Sequence, residues 1–309
     1  MKSKNILIIG VIIVVAMFGI LFLSNSGKQN TDTGTKFGSS SQKLIPVDSI
    51  THGHGLAVDV ENSNNVYIAT HHGLFLLKND KDLYQVGDSD DDYMGFSPNA
   101  KNAKVFFTSG HPKTGGNIGL EESEDGGFTW KHVSDGPGGP VDFHAMSVSP
   151  ANPNLIYGWF QGKLYRTSDR GTTWETFPTE IVFTSLVSDP KDENIVYATT
   201  PQGQGVVVSK NKGQNWEVLS DELKGGIVSS LAINLQDNQK MLTFSEKLGG
   251  LGKTTDGGKT WQKITADFDG GKVLFIAFAK QNPNIVYALT HLNTIYKSTD
   301  EANTWSKIR

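Results

Sequence analysis

From residue 43 onward, apolar positions come in short runs that alternate with polar ones, separated by turns rich in Asp, Asn, Pro and Gly. That texture predicts many short β-strands and no long amphipathic helix. A first set reads Gly55–Val60, Asn65–Thr70 and Gly73–Leu77; another reads Phe143–Val148, Leu155–Trp159 and Lys163–Thr167. A turn followed by Ile-Val-Tyr recurs at Asp189–Tyr197 and Gln281–Tyr287. One run is different in kind. Ile6 to Leu23 is unbroken apolar sequence behind Lys2 and Lys4, and as a helix it would rise about 27 Å, close to a bilayer core. The sequence Leu21-Phe-Leu-Ser24 makes a poor cleavage site, so residues 1–24 read as an uncleaved anchor rather than a signal peptide. The two lysines then stay inside, which places the rest of the chain outside the cytoplasm, single-pass at the cell membrane, or secreted if the segment is cut. Residues 25–42, rich in Ser, Asn, Gly, Thr and Lys, read as a flexible linker.

The strand pattern repeats. Ser123-Glu-Asp-Gly-Gly-Phe-Thr-Trp130 aligns without gaps on Thr167–Trp174, Ser209–Trp216, Thr254–Trp261 and Ser298–Trp305, whose starts lie 44, 42, 45 and 44 residues apart. This period suits one four-stranded blade per repeat. With a degenerate first copy, whose turn has decayed to Lys78–Asp82, six blades are expected near 53–87, 93–134, 142–178, 183–220, 228–265 and 273–309. The fold class is therefore all-β, a six-bladed β-propeller over residues 43–309. The segment Lys43–Ile50 is expected to pair near the last blade and help close the ring.

The repeat, Ser/Thr-x-Asp-x-Gly-x-Thr-Trp, resembles the Asp-box of sialidases, sortilin-type receptors, some glycan hydrolases and photosystem assembly factors. The strings Ala-Thr-His-His-Gly-Leu-Phe and Asp-Phe-His-Ala-Met are similar to exported bacterial propellers that carry a glycosyl hydrolase label through fold analogy. The resemblance implies structural roles for Asp125, Asp169, Asn211, Asp256 and Asp300, on one face of the ring. Asp and Ser/Thr side chains satisfy turn amides, Gly supplies a left-handed residue, and Trp packs between blades. Asn211 and Ala302 depart from the pattern, so their turns should be looser. A sialidase activity is disfavoured, because that family grips its substrate carboxylate with three arginines. Arg166, Arg170 and Arg309 all sit beside Asp-boxes or at the last residue.

Composition then narrows the chemistry. The chain has 309 residues and no cysteine, and its net charge is −4. Disulfides and thiolate sites are excluded, and nothing points to nucleic acid. Histidine is the informative residue. Seven of the eight map to the face opposite the Asp-boxes: His52 and His54 before blade one, His71 and His72 in its second-to-third-strand loop, His111 in the same loop of blade two, His144 before blade three, and His291 in blade six. Imidazoles beside carboxylates suit zinc or copper, and Met94 and Met146 favour copper. The candidate metal ligands are His52, His54, His71, His72, His111 and His144, with His72 and Asp92 also suited to supporting the ligands. Asp92 or Asp142 would be a catalytic base. Tyr93 and the aromatic Trp159 are candidate ligand contacts, since an exposed ring can stack on sugar. A glycan-binding or glycosyl hydrolase-like propeller, or a scaffold for an envelope protein, is the alternative. The chain is expected to be monomeric.

Overall fold

The computed structural model describes residues 42–309, and the predicted anchor and most of the linker lie outside them. The described part is a six-bladed all-β propeller. Each blade is an antiparallel sheet of four strands in sequence order, and blade one carries a fifth strand from earlier in the chain. The innermost strands are Gly53–Val58, Asp92–Pro98, Ala145–Val148, Ser185–Ser188, Val228–Ile233 and Val273–Phe278. Among the described residues there is no α-helix, and none long and apolar enough to cross a membrane; a single 3₁₀ turn spans Asp221–Leu223.

No single central core exists. Buried apolar residues form six wedges, each shared by two neighbouring blades. One joins Ala145 and Leu164 of blade three to Leu186 and Val207 of blade four, with Trp216 packed against it. Trp130, Trp174, Trp261 and Trp305 belong to equivalent wedges. The repeat is thus a packing unit that cannot bury its faces alone.

The Asp-box turns share one network. In blade two, Asp125 Oδ1 accepts from Thr129 N at 2.9 Å, its Oδ2 accepts from Thr129 Oγ1 at 2.7 Å, and Ser123 Oγ accepts from Gly127 N at 2.8 Å. The two departures keep this frame. Asn211 Oδ1 still accepts from Asn215 N at 2.9 Å, and Ser298 Oγ accepts from Ala302 N at 2.9 Å. The Ala302 turn keeps the full set of bonds. The Asn211 turn lacks the hydroxyl-to-carboxylate bond that Thr129, Thr173, Thr260 and Thr304 make in the other Asp-boxes, so the expected loosening holds in part there. Ala302 takes φ +68° and is fully buried, so packing holds it in the left-handed region that glycine occupies elsewhere.

Closure corrects a second expectation. Leu44–Pro46 pairs with Asp82–Val86, adding a fifth, outermost strand to blade one rather than a strand to blade six. Among the described residues no strand is exchanged across the seam. It is closed by a wedge in which Ile50, Ile68 and Leu77 meet Tyr287, Leu289 and Ile295. Polar contacts reinforce it: the decayed turn of blade one lends Asp80 to the Tyr287 hydroxyl at 2.5 Å and to Lys297 Nζ at 2.6 Å.

Candidate metal centre at the propeller mouth

Opposite the Asp-boxes, blades one to three deliver their histidines through ordinary sheet irregularities. His54 sits at a β-bulge between Gly53 and Gly55, where the register against Val66–Thr70 shifts. A bulge re-aims the side chain, and His54 lines the central channel together with Met94, Met146 and His144. Gly53 N donates to Asn293 Oδ1 of blade six, which anchors the bulge. His71 and His72 occupy the tight turn from Thr70 to Gly73, held by Thr70 Oγ1, which donates to Gly73 O and accepts from His72 N.

Asp92 begins the inner strand of blade two and is the direct cross-strand partner of His111. The strands can meet this closely because residue 110 is glycine. A Cβ there would lie 1.9 Å from the Asp92 carbonyl oxygen.

Two clusters result. In the first, His71 Nδ1 donates to Asp92 Oδ2 at 2.5 Å, which turns His71 Nε2 toward His54 Nε2 at 3.2 Å. The His52 ring stacks on His71 with centroids 4.8 Å apart. Ligand atoms of His52, His54 and His71 lie within 4.8 Å of one another. Asp92 Oδ1 is buried, takes no hydrogen bond, and lies 3.8 Å from His54 Nε2. Burial, then the neighbouring His71 and His52, pushes His54 down to about 3. Burial and His71 also lower His52. Both rings are therefore neutral near pH 7, the form in which imidazole binds cations.

In the second, His111 Nε2 and His144 Nε2 converge on Asp142 Oδ2 at 3.0 and 2.8 Å. Their ligand atoms also fall within 4.8 Å of one another. His111 Nδ1 donates to the Gly116 carbonyl at 2.8 Å, so Nε2 is the nitrogen presented to Asp142. Asp142 is only 5% exposed, and its other oxygen is buried without a partner. Burial raises its affinity for protons, but the bonds from His111 and His144 outweigh this and hold it at about 2. The same contact raises His111 to about 9, against the opposing effect of burial.

Other candidates fall outside these clusters. His72 is 56% exposed and turns away to Asp90 at 3.0 Å, where Lys113 also binds. His291 Nδ1 accepts from Lys272 N on the blade six rim. Tyr93 is wholly buried, its hydroxyl donating to Ser89 Oγ, and presents no surface to a ligand. Trp159 lies within the strand Ile156–Phe160, half-buried against the wedge between blades three and four rather than exposed. The arginines are committed to structure: Arg166 to Glu175 and Lys212 O, Arg170 to Glu122, and Arg309 to the carbonyls of Asp48 and Lys81. Sequence reasoning missed the Gly116 carbonyl and Asn293, because backbone acceptors and contacts from blade six leave no local pattern.

Comparison with known proteins agrees with this architecture. A family model described as sortilin, neurotensin receptor 3, matches residues 120–250. A xyloglucanase from Paenibacillus sp. is 24% identical over 39% of this chain and 16% of its own length. Among solved structures, the GH74 xyloglucanase from Xanthomonas campestris superposes with TM-score 0.57 and 17% identity, covering 86% of this chain and 46% of that one. YCF48 bound to D1 peptide gives 0.55 and 13%, covering 86% and 84%. YCF48 from Cyanidioschyzon merolae gives 0.53 and 16%, covering 86% and 87%. These likenesses show the fold. The chain spans less than half the length of the xyloglucanases it matches, but most of the YCF48 chains.

Proposed function

We propose that this chain, an Asp-box β-propeller with sortilin, xyloglucanase and YCF48 relatives in fold, is a transition-metal-binding protein tethered outside the cytoplasm. One observation carries the reading: His54 Nε2 and His71 Nε2 face each other at 3.2 Å. A tetrahedral ion with metal–nitrogen bonds near 2.0–2.1 Å separates its ligands by roughly 3.3–3.4 Å. The facing nitrogens match that edge. Two such nitrogens are satisfied by one shared proton or by one shared cation.

Asp92 supports the cation reading, since a carboxylate on the far nitrogen of a ligating histidine fixes its ring and raises its basicity. His52 supplies a third nitrogen. Donors of this kind suit zinc or copper, and Met94 in the same channel would favour copper. Asp92 and Asp142 are both engaged by imidazoles, so neither stands free to serve as a base. The membrane tether rests on the apolar run from Ile6 to Leu23 and the lysines before it.

Isothermal titration of the untagged full chain with zinc and with copper(I) tests the reading. Tight binding that a His54→Ala, His71→Ala variant loses is expected. Equal binding by that variant would remove the site from these residues.

A second reading, a carbohydrate-active or glycan-binding propeller, is favoured by the likeness to xyloglucanases. Asp142, held at about 2, is ionised at neutral pH and does not suit the general-acid half of a glycosidase pair. Affinity for xyloglucan oligosaccharides that metal removal leaves unchanged would favour this second reading.

A further inference from the structure

The geometry points to a second, separate cation site at His111, Asp142 and His144, so that the mouth holds two ions rather than one. The inference rests on the metal-binding reading above and deepens it. Three observations carry it.

First, the six donors do not form one shell. They fall into two groups whose internal ligand-atom spacing is within 4.8 Å, and each group is already a three-donor set. An ion centred in one group finds three ligands there, the number that leaves one position of a tetrahedral ion to water.

Second, each group has beside it a carboxylate with one buried oxygen unsatisfied. Asp142 Oδ1 is such an atom in the second group, and Asp92 Oδ1 is its counterpart in the first. A buried carboxylate oxygen without a donor is costly, and a cation is among the few partners that remove the cost. Asp142 is nearly fully buried.

Third, the second group has its own orienting shell. The Gly116 carbonyl accepts the His111 Nδ1 proton, the task Asp92 performs for His71, so that Nε2 is the atom that binds an ion, giving up its proton as the ion enters. Each group thus contains a ring whose far nitrogen is already held in place by a bond of its own.

The donor sets also differ, three nitrogens against two nitrogens and one carboxylate oxygen. The second site therefore suits a harder divalent cation, such as zinc, cobalt or manganese, better than copper(I). The pairing of Asp92 with His111 across adjacent strands makes the sites neighbours. Strands that close hold opposed residues about 4.5–5.5 Å apart at Cα.

The test is the metal content and visible spectrum of the untagged full chain after cobalt(II) loading and desalting. Three proteins are compared with wild type: His54→Ala with His71→Ala, Asp142→Asn with His144→Ala, and the milder His144→Gln, each checked for native near-ultraviolet circular dichroism. Two ions per chain in wild type are expected. About one should remain in each double variant, with different ligand-field bands in the two, and His144→Gln should retain the first ion while weakening the second at least tenfold. One ion in wild type, abolished by either double variant, would overturn the two-site inference while leaving the proposed function intact. Two ions retained after Asp142→Asn with His144→Ala would also overturn it. No bound ion in wild type would remove both readings.

Discussion

His71 donates its Nδ1 proton to Asp92 Oδ2 at 2.5 Å, and this contact between blades one and two selects the nitrogen that faces His54. Removing the charge while keeping the shape separates orientation from ligation. Asp92→Asn should weaken metal affinity about 10- to 100-fold without abolishing it. It should leave the unfolding midpoint in the absence of metal within a few degrees of wild type. Competition titration against a chromophoric chelator reads the first, and calorimetry the second.

Glu121 provides a pH-dependence that is independent of the mouth. Burial, then the nearby Asp91, raises its carboxyl from the usual 4.5 to about 7. A group raised on folding gives its full stabilisation below its unfolded pKa and loses it as pH climbs through the folded one. Stability should therefore fall between pH 4.5 and 7, by about 1–2 kcal/mol once solvent screening is allowed for. Denaturant titrations of wild type and Glu121→Gln across that range should show a slope in the first that is flattened in the second.

The Asp-box carboxylates act in the opposite sense. Bonds from the Thr173 hydroxyl and amide and from the Thr167 hydroxyl hold Asp169 at about 2, and the Thr304 hydroxyl and amide do the same for Asp300. A depressed carboxyl contributes stability above its unfolded pKa, and that contribution disappears as pH drops through the folded value. Acid unfolding should steepen between about pH 4 and 2. Asp169→Asn should reduce the steepness, because it removes one titrating group while retaining an acceptor oxygen.

The Asp-box glycine makes a steric demand that can be measured. At Gly213, with φ +84°, an added Cβ would stand 2.2 Å from Leu164 Cδ2 of the preceding blade. Gly213→Ala should destabilise by about 2–4 kcal/mol, combining left-handed backbone strain with overpacking. Thermal unfolding should show it as a clear loss in Tm. An unchanged Tm would mean that the wedge between blades three and four has slack that its packing does not suggest.

Much of this was legible from residues alone, for a physical reason. Each Asp-box encodes its turn through contacts four residues apart, such as Asp125 with Thr129, so the repeat and the blade count follow from local sequence. The grouping of histidines on one face followed from the same period. What the sequence hides is long-range register. Leu44–Pro46 is as suited to one exposed sheet edge as to another. Its pairing with Asp82–Val86 goes with packing remote in sequence, Leu44 against the wedge between blades one and two and Val47 and Ile50 in the wedge between blades one and six. Exposure is equally hidden. Tyr93 and Met94 are adjacent, yet strand alternation and a bulge send the first into the blade and the second into the channel. His72 follows His71 directly, and the same tight turn aims it at Asp90 instead of the cluster.

The most direct measurement is an anomalous difference map from crystals grown with zinc and recorded on both sides of its absorption edge. The account predicts a peak within about 2.0–2.2 Å of both His54 Nε2 and His71 Nε2. Anomalous density confined to exposed histidines such as His72, with none between His54 and His71, would contradict it.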